Sequence, residues 1–383
     1  MTGAGPRGAR DAGMPRLDAR FFLGAQGWPY LLVPFIPVAI ALEVAGASDA
    51  LIFGASALGI VPTAALMGRA TEELASRSGP GIGGLLNVTF GNAPELIIAL
   101  FALGEGLHEV VKATLIGSII GNVLLVLGAA MLVGGWGRER QRFSVTTANV
   151  QSSMLLLAAA AIVMPAIFQL VRGDGLPDVG PERIGFDSTV EVLSGLIAGM
   201  LILIYVAGLY FSLGTHRDAF NPSYEDERTW GWSARTSVVM LAIAGVAVGV
   251  MSEILVGSLS AASESLGLSE FFIGAIVVAI VGNAAEHWVA VLVARKDKMD
   301  LSVNISIGSS AQVALFVTPV LVLAAFLIGP GPLPLVFNGY ELGAVLLSVL
   351  IANYVVHEGE STWFEGVQLL AVYAILVLVF AFA

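Results

Sequence analysis

Eleven stretches of the chain are almost continuously apolar, and each approaches the roughly 20 residues a helix needs to cross a hydrocarbon core of about 30 Å. They lie at 29–46, 48–69, 82–103, 110–134, 147–170, 189–213, 234–258, 270–294, 301–328, 335–353 and 363–383. The third and eighth are the least hydrophobic, because polar motifs interrupt them. The pattern predicts an all-α integral membrane protein with eleven transmembrane helices. Composition agrees: 57% of residues are hydrophobic and 12% charged, the mean hydropathy is +0.87, and soluble domains carry about 25% charged residues. A soluble enzyme is thereby excluded. Forty-five glycines suit closely approaching membrane helices better than the short alternating strands of a barrel. With no cysteine in the chain, disulfides, thiolate metal sites and cysteine nucleophiles are ruled out. A formal net charge of −11 argues against nucleic acid, whose phosphates need clustered lysine and arginine.

Alternating spans put 15 of the 18 basic residues on the side of the N-terminus, among them Arg7, Arg10, Arg16 and Arg20, then Arg138, Arg140 and Arg142, then Arg217 and Arg228, and Arg295, Lys296 and Lys298. The other side keeps Lys112, Arg172 and Arg183. By the positive-inside rule the N-terminus is cytoplasmic and the C-terminus outside. The expected organisation is a cytoplasmic tail at 1–28, an extra helix at 29–46, a five-helix unit at 47–213, a cytoplasmic linker at 214–233 and a second five-helix unit at 234–383. Short loops and high alanine and glycine content point to a prokaryotic plasma membrane, with a vacuolar membrane as the alternative.

The division into two units rests on an internal repeat. Gly91-Asn92-Ala93-Pro94-Glu95 aligns with Gly282-Asn283-Ala284-Ala285-Glu286 at an offset of 191, and Gly117-Ser118 aligns with Gly308-Ser309 at the same offset. Five spans per repeat is an odd number, so the second unit inserts upside down relative to the first. Transporters with inverted repeats bind substrate and coupling ions near the midplane, where the repeats meet and interrupted helices supply ligands.

Glu95 and Glu286 stand in apolar surroundings, where an acidic residue costs about 2.5–3.5 kcal/mol even on the lenient insertion scale and marks an ion or proton path by default. Asn92 and Glu95, Asn283 and Glu286, and Ser309 and Gln312 are i, i+3 pairs that share a helix face. The first half offers Ser118 and an optional amide, Asn122, but no counterpart of Gln312, so an asymmetric site is expected. The hydroxyls of Ser118 and Ser309 either line the path or bond back to their own helix. Gly91 and Gly282, like Gly117 and Gly308, serve either ligand access or close packing. Pro94 frees the carbonyl of Phe90, as a hard-ion ligand or as a plain kink, and its repeat partner Ala285 does not. His287 points about 100° around the helix from Glu286, to relay protons or to make an interhelical hydrogen bond. Glu72, Glu73, Glu253 and Glu270 near span ends form either an entry funnel for cations or a solvated rim.

Carboxylates, amides and hydroxyls without thiolate suit a hard cation, and flexible oxygen coordination favours Ca²⁺ over Mg²⁺. When the ion leaves, two nearby carboxylates cannot both stay ionised in a low dielectric, so protons take its place. The expected function is cation/proton antiport, with Ca²⁺ and H⁺ as transported ions, membrane lipid as surroundings and no resident cofactor. No zinc pair, oriented nucleophile or phosphate loop speaks for an enzyme. A channel fits less well, because two acids in an inverted repeat suit alternating access better than a charged ring.

Gly91-Asn92-Ala93-Pro94-Glu95-Leu96, Gly282-Asn283-Ala284-Ala285-Glu286-His287, Lys296-Asp297-Lys298-Met299-Asp300 and Gly308-Ser309-Ser310-Ala311-Gln312 resemble the Ca²⁺/H⁺ antiporter (cation/proton exchanger) family of the cation/Ca²⁺ exchanger superfamily. Ala70-Thr71-Glu72-Glu73-Leu74-Ala75, Thr215-His216 and Ser361-Thr362-Trp363-Phe364-Glu365-Gly366 add to the likeness, which spans nearly the whole chain. The resemblance implies one extra helix before two inverted five-helix repeats. It also implies Glu95 and Glu286 as the Ca²⁺ and H⁺ carboxylates, Asn92 and Asn283 as their neighbours, and Ser118, Ser309 and Gln312 as polar lining. Two features depart from the family. The acidic stretch between the sixth and seventh spans shrinks to Glu225-Asp226-Glu227, and Pro94 is more typical of Na⁺/Ca²⁺ exchangers. A Na⁺/Ca²⁺ exchanger, or an exchanger of another divalent cation, is therefore the alternative.

Overall fold

The computed structural model describes residues 21, 24, 27–179, 185–215 and 230–383. The tail arginines Arg7, Arg10, Arg16 and Arg20, and also Arg183, His216, Arg217, Arg228 and Glu225-Asp226-Glu227, lie outside the described residues. A 3-10 turn (Trp28–Leu32) leads into α1 (Phe35–Val44), followed by α2 (Asp49–Arg77), α3 (Gly79–Gly91), α4 (Ala93–Gly104) and α5 (His108–Gly135). Strand β1 (Gln141–Arg142), α6 (Val145–Val171), α7 (Ser188–Thr215), α8 (Ala234–Leu266), α9 (Glu270–Arg295) and α10 (Met299–Ala324) come next. The chain closes with α11 (Gly339–Val356), β2 (Glu360–Ser361) and α12 (Trp363–Phe382). Among the described residues nine helices are long and apolar enough to cross a membrane, and Leu85–Gly91 with Ala93–Gly104 forms a further pair bent by 41°. Trp28–Val44 is apolar but shorter.

Local chemistry sets the ends of these elements. Ser144, Asp187, Ser233 and Ser269 cap α6 to α9 by accepting a backbone N–H of the first turn, as short oxygen-bearing side chains do. Asn338 with Glu341, and Thr362 with Glu365, form reciprocal capping boxes on α11 and α12. Gly267, at φ 66°, stops α8 in the left-handed conformation, and the N–H of Leu268 returns to the carbonyl of Ser263 at 3.0 Å.

The helices pack in two groups. One core joins side chains of α4 to α7 with α9 to α12, and a second joins α1, α2 and α8 with the start of α9. Small residues bring α5 and α9 backbone to backbone: a Cβ on Gly117 would collide with the carbonyl of Ala275, and Thr114 donates to the carbonyl of Gly274 at 3.2 Å. Leu196, Leu203, Val246 and Leu378 point outward, an arrangement that acyl chains solvate and water does not.

Polar contacts join the loops that alternation assigns to one side. The antiparallel β1–β2 ribbon pairs Gln141 with Ser361 and Arg142 with Glu360. Arg138 donates to the carbonyl of Arg295, and Asp300 accepts from the N–H of Ser144. Glu73 corrects the funnel reading. It is 1% exposed, bonds Arg69 at 2.7 Å and accepts the backbone N–H groups of Trp230 and Trp232, so it fastens the lead-in of α8 to the end of α2. Glu72 beside it remains exposed.

Two outcomes follow. Gly117→Ala is expected to destabilise the protein by about 1–3 kcal/mol through overpacking, read as a lower thermal midpoint in detergent. Gly257→Ala, whose Cβ meets nothing within 4 Å, should not lower it. The hydrogen bond from Arg140 holds the Glu360 carboxyl below the usual carboxylate range. A depressed value in the folded state stabilises above the unfolded value and is lost as pH falls through the folded one. Amide exchange at Phe143, bonded to the Gly359 carbonyl at 2.9 Å, should therefore speed up in acid relative to the helices.

Candidate functional site

The break between α3 and α4 falls on Asn92 (φ −97°, ψ 19°), two residues before Pro94. Proline offers no N–H to the carbonyl of Phe90. The N–H of Asn92 turns back onto that carbonyl, so it is not left without a donor. Glu95 then occupies the first turn of α4, 5% exposed, with Asn92 1% exposed. In the second half Ala285 keeps its N–H, and Ala279–Arg295 runs as regular α-helix through Gly282, Asn283, Glu286 and His287. Of Gly91, Pro94 and Gly282, read from the sequence as helix-break or backbone positions, Gly282 lies inside unbroken helix.

Both glycines instead mark a close crossing. A Cβ on Gly91 would stand 3.8 Å from Oε1 of Glu286, and one on Gly282 would stand 3.6 Å from Cγ of Glu95. Each half thus turns its bare backbone toward the carboxylate of the other. No ion pair reaches Glu95 or Glu286 among the described residues.

Helices α5 and α10 complete the surroundings. Ser309 donates to Oε2 of Glu286 at 3.2 Å, and Ser118 accepts from Nδ2 of Asn283 at 3.3 Å. Nδ2 of Asn92 donates to Oε1 of Gln312 at 2.6 Å, across the two halves. Nε2 of His287 lies 2.9 Å from Oδ1 of Asn122, which is 2% exposed. The sequence-selected residues Asn92, Glu95, Ser118, Asn283, Glu286, Ser309 and Gln312 are thus linked by these bonds and crossings, and His287 turns aside to Asn122. Wide π turns flank them at Gly121–Val126 in α5 and at Asn304–Gly308 and Val313–Val317 in α10, a distortion common at functional sites.

The unpartnered buried atoms around the crossing are one donor, Nδ2 of Asn122, and three oxygens. Oδ1 of Asn92, Oε2 of Glu95 and Oδ1 of Asn283 are buried without a donor. All three are acceptors, which a cation or a proton satisfies and an anion does not. No cluster of three His, Cys, Asp or Glu residues occurs among the described residues, so the charged part of the donor set is two carboxylates, and amide and hydroxyl oxygens supply the rest. Sequence reasoning did not single out Gln151, which bonds Asn304 one π turn before Ser309. Gln151 stands among Thr147, Asn149, Ser152 and Ser153, so no isolated polar position in an apolar run marked it.

Comparison with known proteins gives the family of the chain. The family described as sodium/calcium exchanger protein matches residues 48–214 and 236–382. A Synechocystis protein named Ca(2+)/H(+) antiporter is 45% identical, covering 92% of this chain and 96% of its own. The Bacillus subtilis Ca(2+)/H(+) antiporter ChaA is 42% identical, covering 91% and 97%. The solved structure of native YfkE superposes with a TM-score of 0.78 at 39% identity, covering 93% of this chain and 100% of its own. The chain belongs to the sodium/calcium exchanger family, within its Ca²⁺/H⁺ antiporter branch.

Gln312→Leu removes the partner of the buried Asn92 amide, at an expected cost of about 1–3 kcal/mol in thermal stability. Asn92→Leu with Gln312→Leu removes both partners and should recover most of that loss.

Proposed function

We propose that this multi-pass membrane protein exchanges Ca²⁺ for H⁺ by alternating access, with both ions competing for Glu95 and Glu286. The observation that carries the reading is the crossing of α3–α4 with α9, where two carboxylates face bare glycine backbone with no ion pair among the described residues and three buried acceptors lack donors. Ca²⁺ neutralises both carboxylates at once. Protons do the same one at a time, while the empty dianion is penalised by the low dielectric. Either load lets the carrier close around its site, and the unloaded form is held back, which couples the two fluxes. Asn92, Asn283, Ser118, Ser309 and Gln312 supply or orient neutral oxygens around the carboxylates. Asn122 holds the ring of His287, which takes part in proton coupling beside Glu286.

The same proposal includes eleven crossings, with α1 ahead of two inverted repeats at 47–213 and 234–383, a cytoplasmic N-terminus and a prokaryotic plasma membrane. The loop contacts joining segments of one side support the alternation. So does the match of π turns, since Gly121–Val126 and Val313–Val317 end 191 residues apart (317 − 126). Pro94 favours Na⁺ as the coupling ion, and the names of the relatives favour H⁺.

The test is ⁴⁵Ca²⁺ uptake into proteoliposomes under a pH gradient and, separately, a Na⁺ gradient at matched pH. Uptake driven by the pH gradient alone is expected, and Glu95→Gln and Glu286→Gln should each abolish it. Uptake that needs Na⁺, or that survives in either variant, would refute the proposal.

A further inference from the structure

Helices α5 and α10, which carry Ser118, Asn122, Ser309 and Gln312, run in opposite directions. The first residues of α10 (Met299–Val303) pack beside the last turns of α5 (Leu127–Gly135), so their first turns lie at opposite ends of the bundle. Each first turn holds an acid, Glu109 and Asp300, and the two are 191 residues apart (300 − 109), the offset of the repeated motifs. Asp300 accepts the backbone N–H of Ser144, the residue that caps α6. At the other end Glu109 binds Nζ of Lys112 at 2.6 Å, and the same Nζ donates at 2.8 Å to the carbonyl of Val336. Val336 stands two residues before Asn338, which caps α11. Under the repeat, α6 and α11 correspond. The first turn of each motif helix therefore grips the lead-in of a helix from the other half, once by acid to N–H and once by acid to lysine to carbonyl.

Lys112 is 1% exposed, and Phe186 covers its ammonium at 5.7 Å from the ring centroid. An apolar side chain would fill this space without the desolvation penalty that a buried ion carries. What it would not do is donate in a fixed direction to Val336 while neutralising Glu109. The inner counterpart, Asp300, is exposed to solvent.

We infer that Glu109 with Lys112, and Asp300 at the opposite face, are reciprocal positioning residues that set the register of α5 and α10 against α11 and α6, and thereby place the polar side chains around the paired glutamates. The inference rests on the proposed Ca²⁺/H⁺ exchange. Lys112 touches no transported ion in this account and acts through the helix that bears Ser118 and Asn122.

Proteoliposomes with wild-type protein, Lys112→Met/Glu109→Gln and Asp300→Asn would be compared for half-saturating Ca²⁺ and maximal rate of pH-driven uptake. The double variant removes both charges of the pair, and Glu341, buried within electrostatic reach of Lys112, keeps its capping bond from the N–H of Asn338. Both variants are expected to raise half-saturating Ca²⁺ about tenfold, the scale of one lost hydrogen bond to a charged group, with thermal midpoints near wild type. Wild-type half-saturation in both would overturn the inference, and if the double variant fails to fold, the exposed Asp300→Asn decides alone. Should wild-type protein show no pH-driven uptake, the exchange reading fails instead. Spin labels then judge positioning separately, since the chain has no native cysteine: the distance between one introduced cysteine in α5 and one in α11 should shift or broaden in the variants, and an unchanged distance would refute the register claim.

Discussion

Two carboxylates, one buried and one half-buried between the helices, with no ion-pair partner among the described residues, are the constraint around which this molecule is arranged. Two other buried acids are neutralised from within, Glu73 by Arg69 and Glu109 by Lys112, and a third, Glu341, accepts the backbone N–H of Asn338 in its capping box. At the crossing of α4 and α9 that remedy is withheld, and the nearest donors to the carboxylates are a serine hydroxyl and backbone. A fixed lysine there would satisfy the charge permanently. Leaving it unsatisfied makes neutralisation conditional on something that comes and goes, which is what a carrier needs from its site.

The two halves meet this constraint with different backbones. The same five-residue motif breaks its helix in the first half and leaves it regular in the second, and one residue decides the difference, Pro94 against Ala285. The polar links diverge accordingly. Asn92 reaches across to Gln312, while Asn283 reaches to Ser118 and to the carbonyl of Ala279 in its own helix. An inverted repeat gives approximate symmetry of position and leaves the chemistry of each position free.

Much of this was legible in the chain. Hydropathy located nine long helices and the bent pair of Leu85–Gly91 with Ala93–Gly104, because a bilayer imposes a length that a periodic pattern cannot disguise, while the first stretch holds only the shorter Trp28–Val44, and the repeat offset located the two glutamates and the Gly-Ser pairs. The asymmetry of the site followed from Gln312 lacking a counterpart. Other features were hidden for physical reasons. That Glu73 is buried and shared between an arginine and two backbone N–H groups depends on Trp230 and Trp232, far along the chain. The carbonyl of Phe90 looked free because proline removes one donor, and nothing in the sequence tells that a neighbouring N–H will turn back to replace it. The π turns leave no signature in hydropathy, since they change the phase of a helix without changing what it is made of.

Those wide turns bear on how such a protein tolerates evolutionary change. A π turn is, in effect, a single inserted residue absorbed where it arose, and α5 and α10 together hold three of them close to the site. Insertion or deletion of one residue elsewhere in a membrane helix would rotate everything beyond it by about 100°. Here the slack for such an event already exists beside Ser118, Ser309 and Gln312, so lineages can edit the length of these helices and keep the phase of their ends.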